Sequence, residues 1–238
     1  MPAVLFLHGL GSDSSCFQAA HEQAFLHGQT LLCPHLPAHG LTPPLARTHN
    51  LSAVAKHIYT ERACHIVAHS MGAAIGLLMT HRITPLSFIS VEGNLLAQDG
   101  ERLSQRTART NKDDFVRHNI HRMIARARDS SDPSTRAWGR TMAQTDAAAF
   151  HEYAVSTTRW SNSGRLFDLY LELACPKTYI YGESSAVPAV LAQLSQHDLD
   201  QHRIKGSGHF PMLEQPQTFW QCVAAFYQRN ELFDKTTL

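Results

Sequence analysis

The chain has 238 residues, enough for one sizeable core, and 43% of them are hydrophobic, as in ordinary globular proteins. Its 21 Lys and Arg residues balance 20 Asp and Glu residues, so the formal net charge is only +1. This balance gives no reason to expect a nucleic acid or an anionic membrane as a partner. No apolar run approaches the ~20 residues that a membrane-spanning helix needs.

The cysteines and histidines indicate neither a disulfide framework nor a metal site. The five cysteines show no C-x-x-C spacing, and most lie in apolar runs; we interpret them as reduced core residues of a cytoplasmic protein. Met1-Pro2-Ala3 lacks the basic region of a secretory signal peptide. Although there are 16 histidines, no helical H-x-x-x-H pattern or His/Cys cluster appears, so we expect no metal.

The first part of the chain predicts alternating strands and helices. The apolar run at 3–7 is typical of a strand buried on both faces of a parallel sheet, and the Gly-containing loop at 8–13 follows it directly. The next predicted elements are a helix, a strand, a Pro- and Gly-rich loop and a helix, at 14–25, 29–34, 35–42 and 51–62.

A strand, a tight turn bearing a serine and a helix are predicted in succession over residues 64–82. Ser70 lies in the turn, with the small residues Ala68 and Gly72 two positions before and after it. This is the context of a nucleophile elbow, whose strained backbone exposes the Ser hydroxyl at the end of the strand. Larger side chains at those two positions would collide across the turn. An ordinary strand-to-helix turn is the alternative.

The pattern changes after a strand predicted at 86–91. Residues 95–172 contain helix-forming stretches with many arginines and nearly as many carboxylates, which is typical of solvated helix faces. An alternative is that these arginines meet an acidic group of a substrate. Scattered aromatic and aliphatic residues would let the segment pack on the rest of the protein. We therefore predict an α/β core from residues 1–94 and 173–238, and an inserted helical cap from residues 95–172.

Strands and helices alternate again in the last part of the chain. A strand at 175–181, a helix at 188–196 and a short strand near 202–204 lead to a Gly-rich loop that carries His209. The final helix, beginning at Pro216, has one apolar face from residue 219 to residue 227. Repeated strand–helix units predict the α/β class, with a mostly parallel sheet and helices on both faces.

Four motifs, in this order and context, together resemble those of the α/β-hydrolase family. They are H-G-L-G at 8–11 (the oxyanion loop), L-P-A-H-G at 36–40, A-H-S-M-G at 68–72 (the elbow) and G-S-G-H-F at 206–210 (the catalytic-histidine loop). The resemblance covers nearly the whole chain. It implies the α/β-hydrolase fold, in which a cap is often inserted where this chain has its helical segment.

The resemblance also implies a Ser-His-acid triad. Ser70 would be the nucleophile and His209 the base that takes its proton, because an unassisted hydroxyl is a poor nucleophile. The backbone N–H groups of Leu10 and Met71 would donate to the oxyanion, each worth about 3–4 kcal/mol. His69 either lines the pocket or merely flanks the serine. No cofactor is expected.

The acid of this triad departs from the family pattern. The family commonly has it in G-x-x-D after the seventh strand, where this chain has Ser185. We favour Glu92, because the strand that it ends would neighbour the elbow strand and its side chain could approach the far side of the imidazole. A strand-end carboxylate can also simply cap the following loop. Asp99, at the cap entry, and Glu183, one residue after the Gly of the later strand, are the alternative acids.

These features predict a carboxylesterase-like serine hydrolase (EC 3.1.1) that cleaves an ester or thioester of a small to medium acyl substrate. A C–C bond hydrolase or an amide hydrolase of the same fold remains open. A non-catalytic, receptor-like protein that binds a small ligand also remains open, because the acid position is altered and a fold does not by itself establish a function.

Overall fold

The computed structural model describes residues 2–58, 63–100 and 103–233. Their strands form a single parallel sheet: β1 (Ala3–Leu7), β2 (Leu31–Leu32), β3 (Ala63–His69), β4 (Thr84–Val91), β5 (Lys177–Gly182) and β6 (Gln201–Ile204). The order across the sheet is β2-β1-β3-β4-β5-β6. The predicted parallel sheet is therefore confirmed.

The α-helices are α1 (Leu51–His57), α2 (Met71–Met79), α3 (Ser104–Ala108), α4 (Lys112–Asp114), α5 (Ile120–Arg128), α6 (Pro133–Met142), α7 (Ala147–Asn162), α8 (Arg165–Glu172), α9 (Pro188–Gln196), α10 (Pro211–Glu214) and α11 (Pro216–Arg229). Short 3-10 helices cover Ser14–Glu22, Ala24–Leu26 and Ala97–Gly100, and a π-helical stretch covers Phe115–Asn119. No helix within the described ranges has the length and apolar character needed to cross a membrane.

The sheet is apolar on both faces, as its continuous hydrophobic strands predict. Every residue of β1 is buried, and its side chains alternate between two apolar clusters. One cluster joins Leu5 and Leu7 to helices α1, α2 and α8. The other joins Val4 and Phe6 to helix α11. Helices thus cover both faces, which confirms the predicted layers.

The chain reverses direction across the sheet between β1 and β3. It leaves β1 toward β2 at one edge and returns to β3, on the other side of β1. The loops after β1 and β3 therefore emerge side by side at the carboxyl edge. In open parallel sheets, ligands bind in the crevice at such a reversal. This topology brings residues 8–11 next to Ser70.

Several element boundaries differ from the sequence predictions. The helix predicted at 14–25 consists of 3-10 turns, interrupted where Gln23 adopts an extended backbone (φ −84°, ψ 116°). Helix α1 ends at His57, and residues 59–62 of the predicted helix lie outside the described ranges. Pro85 lies within β4 rather than before it. It is tolerated because it lies near the start of the strand, where the β3–β4 register shifts.

The regular elements described between β4 and β5 are all helices, joined by short turns and loops, and α7 is the longest at 16 residues. It packs on the loops after β1 and β2. Tyr153 Oη donates to Pro37 O over 3.0 Å, and Leu51 N donates to Ser156 Oγ over 2.9 Å. We call residues 95–172 the helical segment. Its contacts place it over the carboxyl edge of the sheet.

Candidate active site

Ser70 occupies a strained turn between β3 and α2. Its backbone angles are φ 53° and ψ −122°, in a region that residues other than glycine rarely adopt. A Cβ atom at Gly72 would collide with the carbonyl oxygens of Leu7 and His8. Glycine is therefore required there for α2 to start this close to β1. The geometry is that of the predicted elbow.

The Ser70 hydroxyl faces the residues that follow β4. It donates to Oδ1 of Asn94 over 3.4 Å, and the backbone N–H of Asn94 donates to the Ser70 carbonyl over 3.2 Å. Asn94 is buried. In this structure the hydroxyl is thus held by an amide and has not turned toward an imidazole.

His209 and Glu92, predicted as base and acid, are brought together by the sheet. Nδ1 of His209 lies 3.2 Å from Oε2 of Glu92, so the imidazole N–H donates to the carboxylate. Glu92 is 8% exposed, and its other oxygen accepts hydrogen bonds from Gly182 N (2.6 Å) and Ser185 Oγ (2.8 Å). The carboxylate is therefore fixed on both sides. Ser185, where the family pattern has Asp, supports Glu92 instead.

The two alternative acids have other partners. One oxygen of Asp99 accepts from the backbone N–H groups of Leu95 and Leu96, at 2.9 and 2.8 Å. Burial raises the pKa of this carboxyl to about 7. Glu183 accepts from Gly206 N over 3.0 Å and lies 3.5 Å from Arg203. Neither carboxylate is hydrogen-bonded to His209 in the described residues.

The loop that carries His209 is clamped by Glu214. The two carboxylate oxygens of Glu214 accept from the backbone N–H groups of Gly208 and Phe210, which flank the histidine; the second distance is 2.9 Å. Ser134 Oγ, at the start of α6, donates to the same carboxylate over 3.2 Å. The sequence analysis assigned no role to Glu214. Its place five residues after His209 is the only hint of this contact that the sequence offers.

Two buried histidines hold the glycine loop after β1, and the sequence analysis gave neither this role. His8 Nε2 accepts from Leu36 N over 2.9 Å, and its Nδ1 donates to Gly9 O over the same distance. His39 Nε2 accepts from Gly11 N over 3.2 Å. Each ring needs an unprotonated nitrogen for these bonds. Burial lowers the pKa of His8 to about 4 and that of His39 to about 3, which keeps both rings neutral.

Helix α6 holds the same loop from the helical segment. Trp138 Nε1 donates to Leu10 O over 2.9 Å, and Thr141 Oγ1 donates to Gly11 O over 2.8 Å. The carbonyl groups of the loop are therefore engaged by α6. The backbone N–H groups of Leu10 and Met71 have no hydrogen-bond acceptor among the described residues. Leu10 lines the cavity at Ser70, and Met71 directly follows Ser70; their role as oxyanion donors stays a prediction.

His69 lies between the serine and the histidine loop. Its Nε2 donates to the backbone carbonyl of His209 over 2.8 Å, and burial lowers its pKa well below the ordinary value. Its Nδ1 faces Gly9, where an added Cβ would approach to 2.9 Å. Gly9 is thus needed for the close approach of the loop and this ring. His69 lines the cavity and also anchors the histidine loop.

The side chains of Ser70 and His209 line one cavity of about 230 Å³. The core contributes Gly9, Leu10, His69, Glu92, Asn94, Ser185, Val187 and Phe210 to its wall, and the helical segment contributes Gln98, Asp99, Leu103, Ser104 and Trp138. No group of three or more metal-ligating side chains occurs within the part of the chain that the structure describes. The arrangement can bind a small molecule against a serine hydroxyl and an imidazole.

Comparison with known sequences identifies one family. The profile described as Alpha/beta hydrolase family matches residues 4–221, which includes all four motifs. No curated protein matches the chain significantly.

Solved structures share the fold at low sequence identity. An esterase from Thermogutta terrifontis has a TM-score of 0.73 at 17% identity, covering 96% of this chain and 90% of the other. A structure from work on carboxylesterases of Nitrososphaera gargenis has a TM-score of 0.77 at 14% identity, covering 97% of this chain and 91% of the other. The N-acyl homoserine lactonase AidH has a TM-score of 0.74 at 17% identity, covering 98% of this chain and 90% of the other. These similarities extend over nearly the full length of each chain.

Proposed function

Because this chain belongs to the alpha/beta hydrolase family, we propose that it is a serine hydrolase that cleaves a carboxylic ester or thioester of a small to medium acyl substrate. One observation carries the proposal: a serine on a strained turn and a histidine paired with a buried carboxylate line the same cavity. Nucleophilic acyl transfer needs this combination of groups.

The reaction begins when the Ser70 hydroxyl turns from Asn94 toward Nε2 of His209. Catalytic hydrogen bonds often tighten only when substrate is bound. Nε2 takes the proton as Oγ bonds to the ester carbonyl carbon. The imidazolium then gives that proton to the departing alcohol or thiol, leaving an acyl-serine. A water, deprotonated by His209, attacks the acyl carbon and releases the acid, and the proton returns to Oγ.

The Glu92 carboxylate keeps the proton of His209 on Nδ1, so that Nε2 is free to act as the base. It also stabilises the positive imidazolium that forms during each step. The bonds from Gly182 and Ser185 hold the carboxylate in place, so little reorganisation is needed when the charge appears. This support favours Glu92 over Asp99 and Glu183 as the acid.

The oxyanion of each tetrahedral intermediate is stabilised by the N–H groups of Leu10 and Met71. Met71 is the first residue of α2, where the helix dipole also favours negative charge. Two buried histidines and two α6 side chains hold the Leu10 loop. Donors fixed in advance stabilise the transition state because no energy is spent in orienting them during the reaction.

We propose that the helical segment, residues 95–172, acts as a cap on a core formed by residues 1–94 and 173–238, and that it sets the acyl size. Leu103, Ser104 and Trp138 support this, since they close the cavity over Ser70. A cavity of about 230 Å³ suits a short acyl group better than a long lipid chain. None of the five cysteines forms a disulfide in the described chain, which supports a reducing, cytoplasmic environment.

Labelling and turnover test the proposal. A fluorophosphonate should add mass to the peptide that contains Ser70, and purified protein should hydrolyse p-nitrophenyl esters of short acids. Ser70→Ala should abolish both. Ser104→Ala, which removes another hydroxyl from the same cavity, is the matched control and should keep the label. Labelling of a different serine, or activity that survives Ser70→Ala, would reject the assignment.

A further inference from the structure

The helical segment contains a second cavity, of about 530 Å³. It shares Trp138 with the cavity at Ser70. Helix α3 also faces both cavities: Leu103, just before it, and its first residue Ser104 line the one at Ser70, and Thr107 lines the second. The two cavities are therefore neighbours, separated by a few side chains of α3 and α6.

Three arginines give the second cavity a positive charge. Arg106 reaches it from α3, and Arg122 and Arg126 reach it from α5. Among the described residues, no carboxylate lines this cavity and none of these three guanidinium groups forms an ion pair. The cavity therefore has three cationic groups without an anionic partner in the described chain.

Two of these arginines repel each other on one helix. Arg122 and Arg126 stand four residues apart on one face of α5, and like charges at this spacing destabilise a helix. A bound anion would convert this repulsion into attraction.

The remaining wall fits a molecule that is apolar along its length and anionic at its end. Phe115, Met123 and Trp138 supply apolar surface, while Asn119 supplies a side-chain amide. Guanidinium groups bind carboxylate and phosphate oxygens through charge-assisted hydrogen bonds, often two at a time. A purely apolar ligand would leave the three guanidinium groups without an anionic partner.

We propose that this arginine cavity binds the anionic end, a carboxylate or a phosphate, of the substrate whose ester group lies at Ser70. The inference rests on the proposed hydrolase function and narrows its substrate class to anionic esters. An uncharged ester would occupy the Ser70 cavity alone. An ester with an anionic end at a suitable distance would pass Trp138 and reach the arginines.

Matched ester pairs test this proposal. Half-esters of p-nitrophenol with linear dicarboxylic acids of four to ten carbons are compared with p-nitrophenyl esters of monocarboxylic acids of the same length. We expect kcat/KM to favour the anionic ester by about 10-fold or more at one chain length, since hydrogen bonds to charged groups are about twice as strong as neutral ones. Raising the salt concentration should reduce this preference.

Variants identify the arginines responsible. The double variant Arg122→Gln and Arg126→Gln, which keeps Arg106, should reduce the preference several-fold and leave kcat/KM for the uncharged ester unchanged. Arg128→Gln is the matched control, because this arginine belongs to the same helix and is exposed like the other two but does not line the cavity. It should keep the preference. A preference that is absent at every length, or that is undiminished in the double variant, overturns the proposal.

A binding measurement separates this inference from the proposed hydrolase function. Calorimetry with Ser70→Ala protein compares the monomethyl esters of the same dicarboxylic acids with uncharged methyl esters, and inorganic phosphate is titrated separately. If no ester is hydrolysed but the anionic ester binds through Arg122 and Arg126, the hydrolase assignment alone fails. If only phosphate binds, the cavity takes a free anion and the substrate proposal is wrong.

Discussion

Nδ1 of His209 lies 3.2 Å from Oε2 of Glu92, so the carboxylate that contacts this histidine follows β4 and not β5. Glu92 comes directly after β4, with a positive φ of 50°, and its side chain accepts a hydrogen bond from Gly182 at the end of β5. Ser185, which follows β5, donates to the other oxygen of the same carboxylate. The residue after β4 therefore supplies the carboxylate, and residues at the end of β5 hold it in place.

Glu92→Gln should lower kcat by about 10⁴-fold, the scale seen when the orienting acid of a serine triad becomes an amide. The amide can still accept from Gly182 and Ser185, so the melting temperature should change little. Steady-state kinetics with a short p-nitrophenyl ester measure the fall in kcat, and a thermal melt checks that the melting temperature is nearly unchanged. Asp99→Asn and Glu183→Gln are matched controls that should keep most of the activity. Loss of activity in a control, with an active Glu92→Gln, would show that the acid is misassigned.

Glu214→Gln should loosen the loop that carries His209. The amide has one acceptor oxygen, so it can serve the N–H of Gly208 or that of Phe210 but not both. A buried donor left without its partner costs about 1–3 kcal/mol. We expect a lower free energy of unfolding in urea and a kcat reduced more than KM is changed. Ser134→Ala removes the bond from α6 to Glu214 and a bond to Asp132 but leaves both N–H bonds of the histidine loop, so it should have a smaller effect on kcat.

Acid should destabilise the protein through its buried histidines. Burial lowers the pKa of His8 from 6.5 to about 4, so the unfolded chain binds a proton between these pH values that the folded chain does not. The free energy of unfolding should therefore fall as pH drops through this window, by roughly 3 kcal/mol for His8. Urea titrations from pH 7 to pH 4 measure the slope.

A variant of the second buried histidine checks this origin. His39→Gln keeps an acceptor for Gly11 N but does not titrate, so it should flatten the pH dependence. The exposed His81→Gln is the matched control and should leave the slope unchanged. If the free energy of unfolding of His39→Gln changes with pH as steeply as that of the unmodified protein, His39 does not contribute to the acid sensitivity.

Gly72→Ala should prevent the serine turn from forming. Its added methyl group would meet the backbone carbonyl oxygens of Leu7 and His8, which cannot move aside, so we expect a loss of about 3 kcal/mol or more. Gly100→Ala is the comparison, because its new Cβ would have its nearest neighbour at 3.7 Å. Thermal melts and phosphonate labelling should show a severe defect in the first variant and little change in the second.

Leu103→Ala should enlarge the cavity at Ser70 and shift the chain-length optimum of ester hydrolysis to longer acyl groups. Leu103 lines this cavity from the helical segment and is only partly buried, so truncation should cost less stability than a core substitution. A panel of p-nitrophenyl esters measures the shift. Leu213→Ala, on an exposed leucine elsewhere, is the control. An unchanged optimum would mean that the helical segment does not set acyl size.

Features that depend on neighbouring residues could be read from the sequence. The buried strand before His8, the serine turn at residue 70 and the apolar face of α11 each arise from side-chain size and periodicity within a short stretch. Steric limits and hydrophobic periodicity act over a few neighbouring residues, so a short stretch of sequence is enough to predict these features. Alternating elements then led to the correct sheet class, because parallel strands require helical crossovers.

Features that join distant residues depended on tertiary structure. Three carboxylates were candidates for the triad acid, and only the pairing of β4 with β5 brings Glu92, rather than Asp99 or Glu183, against His209. The catalytic role of Glu92 stays a prediction. The clamp by Glu214 and the buried rings of His8 and His39 were missed for the same reason. Hydrogen bonds and burial depend on which loops lie next to each other in the folded protein. The spacing of residues along the chain does not show which distant loops become neighbours.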